Sequence, residues 1–139
     1  EHEEQQYVDD QSNAMQALLA KMAPAPFGHG QETKVDRSVR DALQLKADAF
    51  SLNIPAAVFA RVLKKVQKEL QVEARLVAEC YALNVYQKGG HFARHKDTPR
   101  GEDMVGTLVL CLPSYFDGGA MLVEHGPDRK AFFRDSGLR

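Results

Sequence analysis

The stretch ALNVYQKGGHFARHKDTPR, residues 82–100, contains His95-Lys96-Asp97. An imidazole and a carboxylate two positions apart are the kind of pair that binds a divalent transition metal. In an extended chain, residues i and i+2 project to the same side, which would bring His95 and Asp97 together and turn Lys96 away. Such nitrogen and oxygen donors suit Fe(II), Mn(II) or Zn(II). Two histidines and one carboxylate on one face of iron leave its other positions open for a co-substrate and oxygen. The pair supplies only part of such a set, so the chemistry depends on a third ligand. Without one, His95 and Asp97 read as two solvated side chains beside a loop.

The elements around the pair are legible from periodicity. Residues 1–12, EHEEQQYVDDQS, are polar and read as a frayed end. In NAMQALLAKMA, Met15, Leu18, Leu19 and Met22 recur at helical spacing, and Pro24 and Pro26 end that helix. PAPFGHGQET reads as a loop. Asp36 is a candidate N-cap for a second helix over 37–47, with Val39, Leu43 and Leu45 inward. Phe50 to Ile54 read as extended. Pro55 opens a third helix over 55–71, whose apolar face is Val58, Phe59, Val62, Leu63, Val66 and Leu70, and Lys64, Lys65, Lys68 and Glu69 form its wet side.

After residue 76 the period changes. VAECYALNVYQ is rich in β-branched and aromatic residues and predicts a buried strand. Gly89-Gly90 break it, HFARHKD is a short extended piece, and TPRGED is a loop. MVGTLVLCLP predicts a long strand covered on both faces and ended by Pro113. Asp117-Gly118-Gly119 is a turn signal. AMLVEH and KAFFR predict a hairpin joined through GPDR. Helices first and strands second predict an α+β fold, with residues 1–76 as a helical support region and 77–139 as the strand-rich part.

Composition excludes several classes. The chain has 139 residues, enough for a core, with 44% apolar and 27% charged residues and a formal net charge of -1. That balance predicts neither a nucleic-acid partner nor a polybasic membrane contact. No apolar run reaches the roughly 18–20 residues of a membrane span, and no signal peptide opens the chain. Cys80 and Cys111 are its two cysteines, and both lie in apolar runs. Two buried thiols predict a reducing compartment, cytoplasmic or nuclear. Both ends read as clipped, since the chain opens on Glu1 and AFFRDSGLR runs from an apparent strand into polar residues.

The order Tyr86, Gly89 or Gly90, Phe92, His95, Asp97, then the LVLCLP strand, then Gly118-Gly119 before AMLVEH, resembles the 2-oxoglutarate- and Fe(II)-dependent oxygenases, in their prolyl-hydroxylase-like branch. The likeness is concentrated between Tyr81 and about Val123. A weaker one, in FGHGQETKVDRSVRDALQLKADAF, is to the N-terminal region of uncharacterised, largely fungal members. The resemblance implies a double-stranded β-helix, or jelly-roll, resting on the N-terminal helices and lacking its C-terminal strands. Such a fold needs about eight strands, and the sequence reads as roughly four or five.

The resemblance also implies roles. His95 and Asp97 would be iron ligands. Tyr86, Val109 and Met121 match positions around the 2-oxoglutarate pocket, as does Cys111, where some relatives carry a tyrosine. Core packing is the alternative for each. Arg100, just past the pair, would contact substrate, clamp its own loop through Glu102 or Asp103, or stand in solvent. The implied cofactors are Fe(II) and 2-oxoglutarate, with ascorbate as an allowed co-reactant. The implied reaction is hydroxylation of a C–H bond in a peptide or protein substrate, with release of succinate. In the family the third ligand is a downstream histidine, followed by an arginine or lysine that pairs with the far carboxylate of 2-oxoglutarate. Arg129, Arg134 and Arg139 do not match that position, and His29 and His91 do not match the ligand. His125 reads as a hairpin-end histidine. Two rivals remain open: a truncated, non-catalytic remnant acting as an interaction module, and a zinc site built from His95, Asp97 and His125.

Overall fold

The structure, a computed structural model, describes residues 12–30 and 32–133. It is mixed helix and sheet, with small antiparallel pairings, so the α+β class holds at that level. Helix α1 covers residues 12–19 and α2 covers Ala56–Glu69. The strands are β1 (Ala23–Pro24), β2 (Phe27–His29), β3 (Glu32–Lys34), β4 (Arg40–Asp41), β5 (Leu43–Lys46), β6 (Ala82–Val85), β7 (His91–Phe92), β8 (Met121–His125) and β9 (Asp128–Phe132). A three-stranded sheet has the order β1-β5-β6, and the pairs β2-β3, β4-β7 and β8-β9 stand as two-stranded ribbons. Contacts divide the chain into two units, Glu1–Ala23 with Gln44–Asn84 and Pro24–Leu43 with Val85–Arg139.

In the first unit, α1 keeps Leu18 and Leu19 half-buried and leaves Met15 exposed. Helix α2 forms where the 3.6-residue period predicts it. Pro55 stands at its N-cap, and its carbonyl accepts from the Val58 and Phe59 N–H groups. Phe59, Val62, Leu63 and Val66 are half-buried, whereas Val58 and Leu70 are exposed. The helix ends in a Schellman motif: the Gln71 N–H donates to the Lys68 carbonyl and the Val72 N–H to that of Gln67. Gln71 takes the left-handed conformation that this motif requires, with φ 53°. On β5, Leu45 and Gln44 are buried, and the Gln44 amide donates to Asn84 Oδ1 at 2.8 Å. That bond satisfies the donor that burial would otherwise strand.

In the second unit, two hairpins and one short pairing organise the chain. β2 and β3 pair from Phe27 opposite Lys34 to His29 opposite Glu32, and Gly30 enters the turn with φ 65°. β8 and β9 pair from Met121 opposite Phe132 to His125 opposite Asp128. Their two-residue loop is Gly126-Pro127. A glycine at positive φ followed by a proline with fixed φ is what a type II′ hairpin turn uses. β4 and β7 pair Arg40 with Phe92 and Asp41 with His91, and the Ala93 N–H extends the pairing to the Val39 carbonyl. A tight turn over Gln87–Gly90 delivers the chain into β7. The Gly90 N–H donates to the Gln87 carbonyl, and Gly89, with φ 81°, occupies the turn position that favours glycine.

Several sequence expectations are corrected. Residues 37–47 are not a helix. Asp36 caps a turn instead: its carboxylate accepts from the Ser38 N–H and hydroxyl, and β4 and β5 follow. The PAPFGHGQET segment contains the end of β1, β2 and the start of β3 rather than loop alone, and Phe50 is extended, as read, although residues 50–54 join no sheet. In VAECYALNVYQ only Ala82–Val85 is strand, and in HFARHKD only His91–Phe92. MVGTLVLCLP forms no strand and is uncovered: Val105 is 59% and Val109 49% exposed. A strand exists through its partners, and no described strand pairs with this one. Cys80 and Cys111 are exposed free thiols rather than buried ones. Among the described residues the buried apolar set is small and confined to Ala25, Ala42 and Leu45. Residues 1–11 of the segment read as a frayed end, and Arg134 and Arg139, lie outside the described residues.

Two glycine substitutions separate close packing from open surface. A Cβ on Gly90 would lie 2.8 Å from the Gln87 carbonyl oxygen and 2.9 Å from that of Asp41, both backbone atoms. Gly90→Ala is expected to cost about 1–3 kcal/mol in denaturant unfolding. Gly106→Ala, with nothing within 4 Å of its Cβ, is expected to be neutral or slightly stabilising. In the same assay Gln71→Gly should stabilise by about 1 kcal/mol, because it removes a side chain from a left-handed position.

Candidate metal-binding pair

His95 and Asp97 do come together, although not by the strand geometry that the sequence suggests. β7 ends at Phe92, and the chain bends at Arg94. The bend folds the His95 imidazole back onto the Phe92 ring, stacked at 3.6 Å between centroids with 21° between planes. Asp97 then reaches the imidazole from the far side of Lys96, with Oδ1 3.4 Å from His95 Nε2. Both side chains are open to solvent, at 41% and 56% exposure.

Three anchors hold this segment. On its N-terminal side, Phe92 lies opposite Arg40 in the β4-β7 ladder. The Arg40 guanidinium carbon sits 4.6 Å from the centroid of the Phe92 ring, and Nη1 donates to the Pro26 carbonyl. Phe27 packs against the same ring in a tilted arrangement at 6.4 Å. In the middle, the Arg94 guanidinium meets the Glu124 carboxylate at 3.0 Å, and Arg129, opposite Glu124 across the hairpin, meets it at 3.4 Å. On the C-terminal side, Thr98 lies against Gly28 of β2, close enough that a Cβ there would be 3.3 Å from the Thr98 hydroxyl. The ion pairs are exposed and contribute little each. The half-buried aromatic contacts are the stronger restraint.

The electrostatics of the pair are specific. His95 Nδ1 lies 2.8 Å from the Ala93 carbonyl. A carbonyl can only accept, so Nδ1 carries a proton and donates it. In the neutral ring the Nε2 lone pair then faces the Asp97 carboxylate, acceptor against acceptor. The arrangement is favourable once a cation stands between Nε2 and the carboxylate. Two ligands bound at about 2.1 Å and at right angles to one ion lie about 3 Å apart, close to the separation seen here. Fixing the outer ring nitrogen of a metal-binding histidine by a backbone carbonyl is also a recurrent second-layer contact.

The other sequence-predicted positions do not gather around the pair. His125 is the hairpin-end residue opposite Asp128, and among the described residues no cluster of three or more His, Cys, Asp and Glu side chains could hold a metal. The zinc site of His95, Asp97 and His125 is thereby corrected. Tyr86 is 45% exposed just after β6, Val109 lies on the uncovered 104–112 stretch, and Met121 starts β8 opposite Phe132. The Arg100 N–H donates to the Met104 sulfur at 3.3 Å, which closes the TPRGED loop on itself. A cavity of about 100 Å³ lies beside the Gln87–Gly90 turn, lined by Arg37, Asp41 and Lys88 among others, and none of the predicted site residues enters it.

Sequence reasoning missed His91. Its ring bridges two turns, with Nε2 3.1 Å from the Ser38 carbonyl and Nδ1 3.3 Å from that of Gly89. Only the imidazolium can donate to both. The Ser38 bond first, then the Gly89 bond, raise its pKa above the ordinary 6.5; desolvation opposes them, and the Asp41 carboxylate adds the smallest upward push. Arg37, 3.8 Å from Asp41, stands on the same face and partly offsets that carboxylate. A raised folded-state pKa means that the stabilisation is complete below pH 6.5 and is lost as pH rises through the folded value. An NMR titration should therefore place the His91 midpoint above 6.5, and His91→Gln should flatten that part of the stability profile; a midpoint at or below 6.5 contradicts the bridge. Compared with known proteins, the chain matches no family model, no curated protein and no solved structure.

Proposed function

We propose that the chain is part of a 2-oxoglutarate- and Fe(II)-dependent dioxygenase of the prolyl-hydroxylase-like kind, with His95 and Asp97 as the first two iron ligands. The observation that carries the reading is the facing of His95 Nε2 and Asp97 Oδ1 across 3.4 Å while Nδ1 is committed to the Ala93 carbonyl. Such a pair fits two adjacent positions on one ion. It does not complete a site, because the described residues supply no third ligand. Bound iron and 2-oxoglutarate would supply the oxidising chemistry. This chain's own contribution is to orient two donors and keep the imidazole in one tautomer.

The reading also carries a finer fold: a partial double-stranded β-helix on helical support. In that fold the uncovered stretch through Val109 becomes a strand whose pairing partners are not among the described residues, and Tyr86 and Met121 belong to the co-substrate side. The substrate class is a peptide or protein, contacted near Arg100. The compartment is cytoplasmic or nuclear, and ascorbate fits as a reductant for the iron. A second reading, an interaction module without catalysis, is favoured by one observation: the same stretch exposes Val105, Leu108, Val109, Leu110 and Leu112 in a row.

An anaerobic titration with Fe(II) and 2-oxoglutarate distinguishes the two. The enzyme reading expects a saturable visible charge-transfer band that His95→Ala and Asp97→Ala abolish. Absence of the band, or a band indifferent to both substitutions, leaves the interaction module.

A further inference from the structure

The ring stack beneath His95 reaches back to a residue 55 positions earlier in the chain. Arg40 lies opposite Phe92 in the β4-β7 ladder, its guanidinium 4.6 Å from the ring centroid. Phe92 in turn carries the His95 imidazole at 3.6 Å, nearly parallel. Side chains directly opposite on an antiparallel pair share a face, so the ladder itself fixes Arg40 against Phe92. The guanidinium is tied down at its other end by the 2.6 Å bond from Nη1 to the Pro26 carbonyl. Phe27, next along that backbone, packs against Phe92 as well.

This arrangement sets the plane of the imidazole, and the Nδ1 contact with the Ala93 carbonyl selects which edge faces Asp97. A histidine outside regular structure, with a solvent-open side chain, would ordinarily sample several rotamers and both neutral tautomers. Here the flat contact with Phe92 sets the plane of the ring. Once that plane is set, Nδ1 meets the Ala93 carbonyl at 2.8 Å and Nε2 meets Asp97 at 3.4 Å. A guanidinium is held to the negative face of an aromatic ring, and a half-buried site strengthens that attraction relative to open solvent. We propose that Arg40 and Phe92 are positioning residues for His95: Arg40 holds the Phe92 ring, and Phe92 fixes the imidazole plane that presents Nε2 beside Asp97. The geometry stands by itself, while its purpose rests on the metal-binding reading above.

The test reads the imidazole directly. NMR of the whole chain with labelled histidine reports the His95 ring-proton shifts and, through three-bond couplings, its χ1 rotamer. In the unsubstituted protein the His95 ring protons should lie upfield of those of His29 and His125, and a single χ1 rotamer should be populated. Phe92→Leu should abolish the upfield shift and give averaged rotamers. Phe92→Tyr, which keeps the ring, should retain both signatures, and Arg40→Met should weaken both with Phe92 in place. Averaged rotamers in the unsubstituted protein, or signatures that survive Phe92→Leu or Arg40→Met, overturn the proposal. If Phe92→Leu fails to fold, the unsubstituted, Phe92→Tyr and Arg40→Met spectra still decide it. A parallel Co(II) titration keeps the two ideas apart. Where the unsubstituted protein binds Co(II) through His95, its affinity should drop about 10-fold in Phe92→Leu. Where it does not bind, the metal-binding reading falls and the NMR result still judges the positioning.

Discussion

Everything at the candidate site hangs on the half-buried Phe92 ring. Its backbone belongs to a pairing of two rungs, Arg40 opposite Phe92 and Asp41 opposite His91. Its side chain meets Arg40, Phe27 and His95. Two rungs are weak alone, since an isolated hairpin is marginal in water. The pairing persists because other contacts over-determine it. The Ala93 N–H adds a bond to Val39, the His91 ring ties Ser38 to Gly89, and Gly90 lets the incoming turn lie against the Asp41 carbonyl. Local geometry upstream of the pair therefore sets the orientation of the donors downstream of it.

The site is consequently preorganised on one side and open on the other. Toward β2 and β4, the segment is pinned by aromatic contacts and by the approach of Thr98 to Gly28. Farther along the chain, nothing described covers Val105 or Val109. In the oxygenase reading that open side is where the remaining strands and the third ligand belong. In that reading the two donors by themselves would hold an ion through two bonds, with water at its other positions.

The parts legible in the sequence are those whose signal is local and repeated. Helix α2 carries a full 3.6-residue stripe, and the β8-β9 hairpin carries two runs, apolar at their far ends, that meet at Gly126-Pro127. The pairing of His95 with Asp97 was legible as proximity, but its cause was not. The i, i+2 argument assumes a strand, whereas the structure uses a bend at Arg94 and a stack on Phe92. Residues 37–47 mislead because Val39, Leu43 and Leu45 fit a helical face loosely, while LQLK alternates with period two and pairs as β5. The Arg40–Phe92 contact has no sequence signal at all, since it depends on a register between positions 52 apart. MVGTLVLCLP shows the converse limit: apolar content predicts burial only where a partner exists to bury it.

The central claim is that His95 and Asp97 form one cation-binding pair set up by Phe92. The most direct measurement is a titration of the histidine-labelled chain with Mn(II), following paramagnetic broadening of each imidazole. The account predicts that the His95 resonances broaden first, that Asp97→Ala abolishes the effect, and that His29, His91 and His125 follow only at much higher concentration. Broadening that begins at another histidine, or that ignores Asp97→Ala, would contradict it.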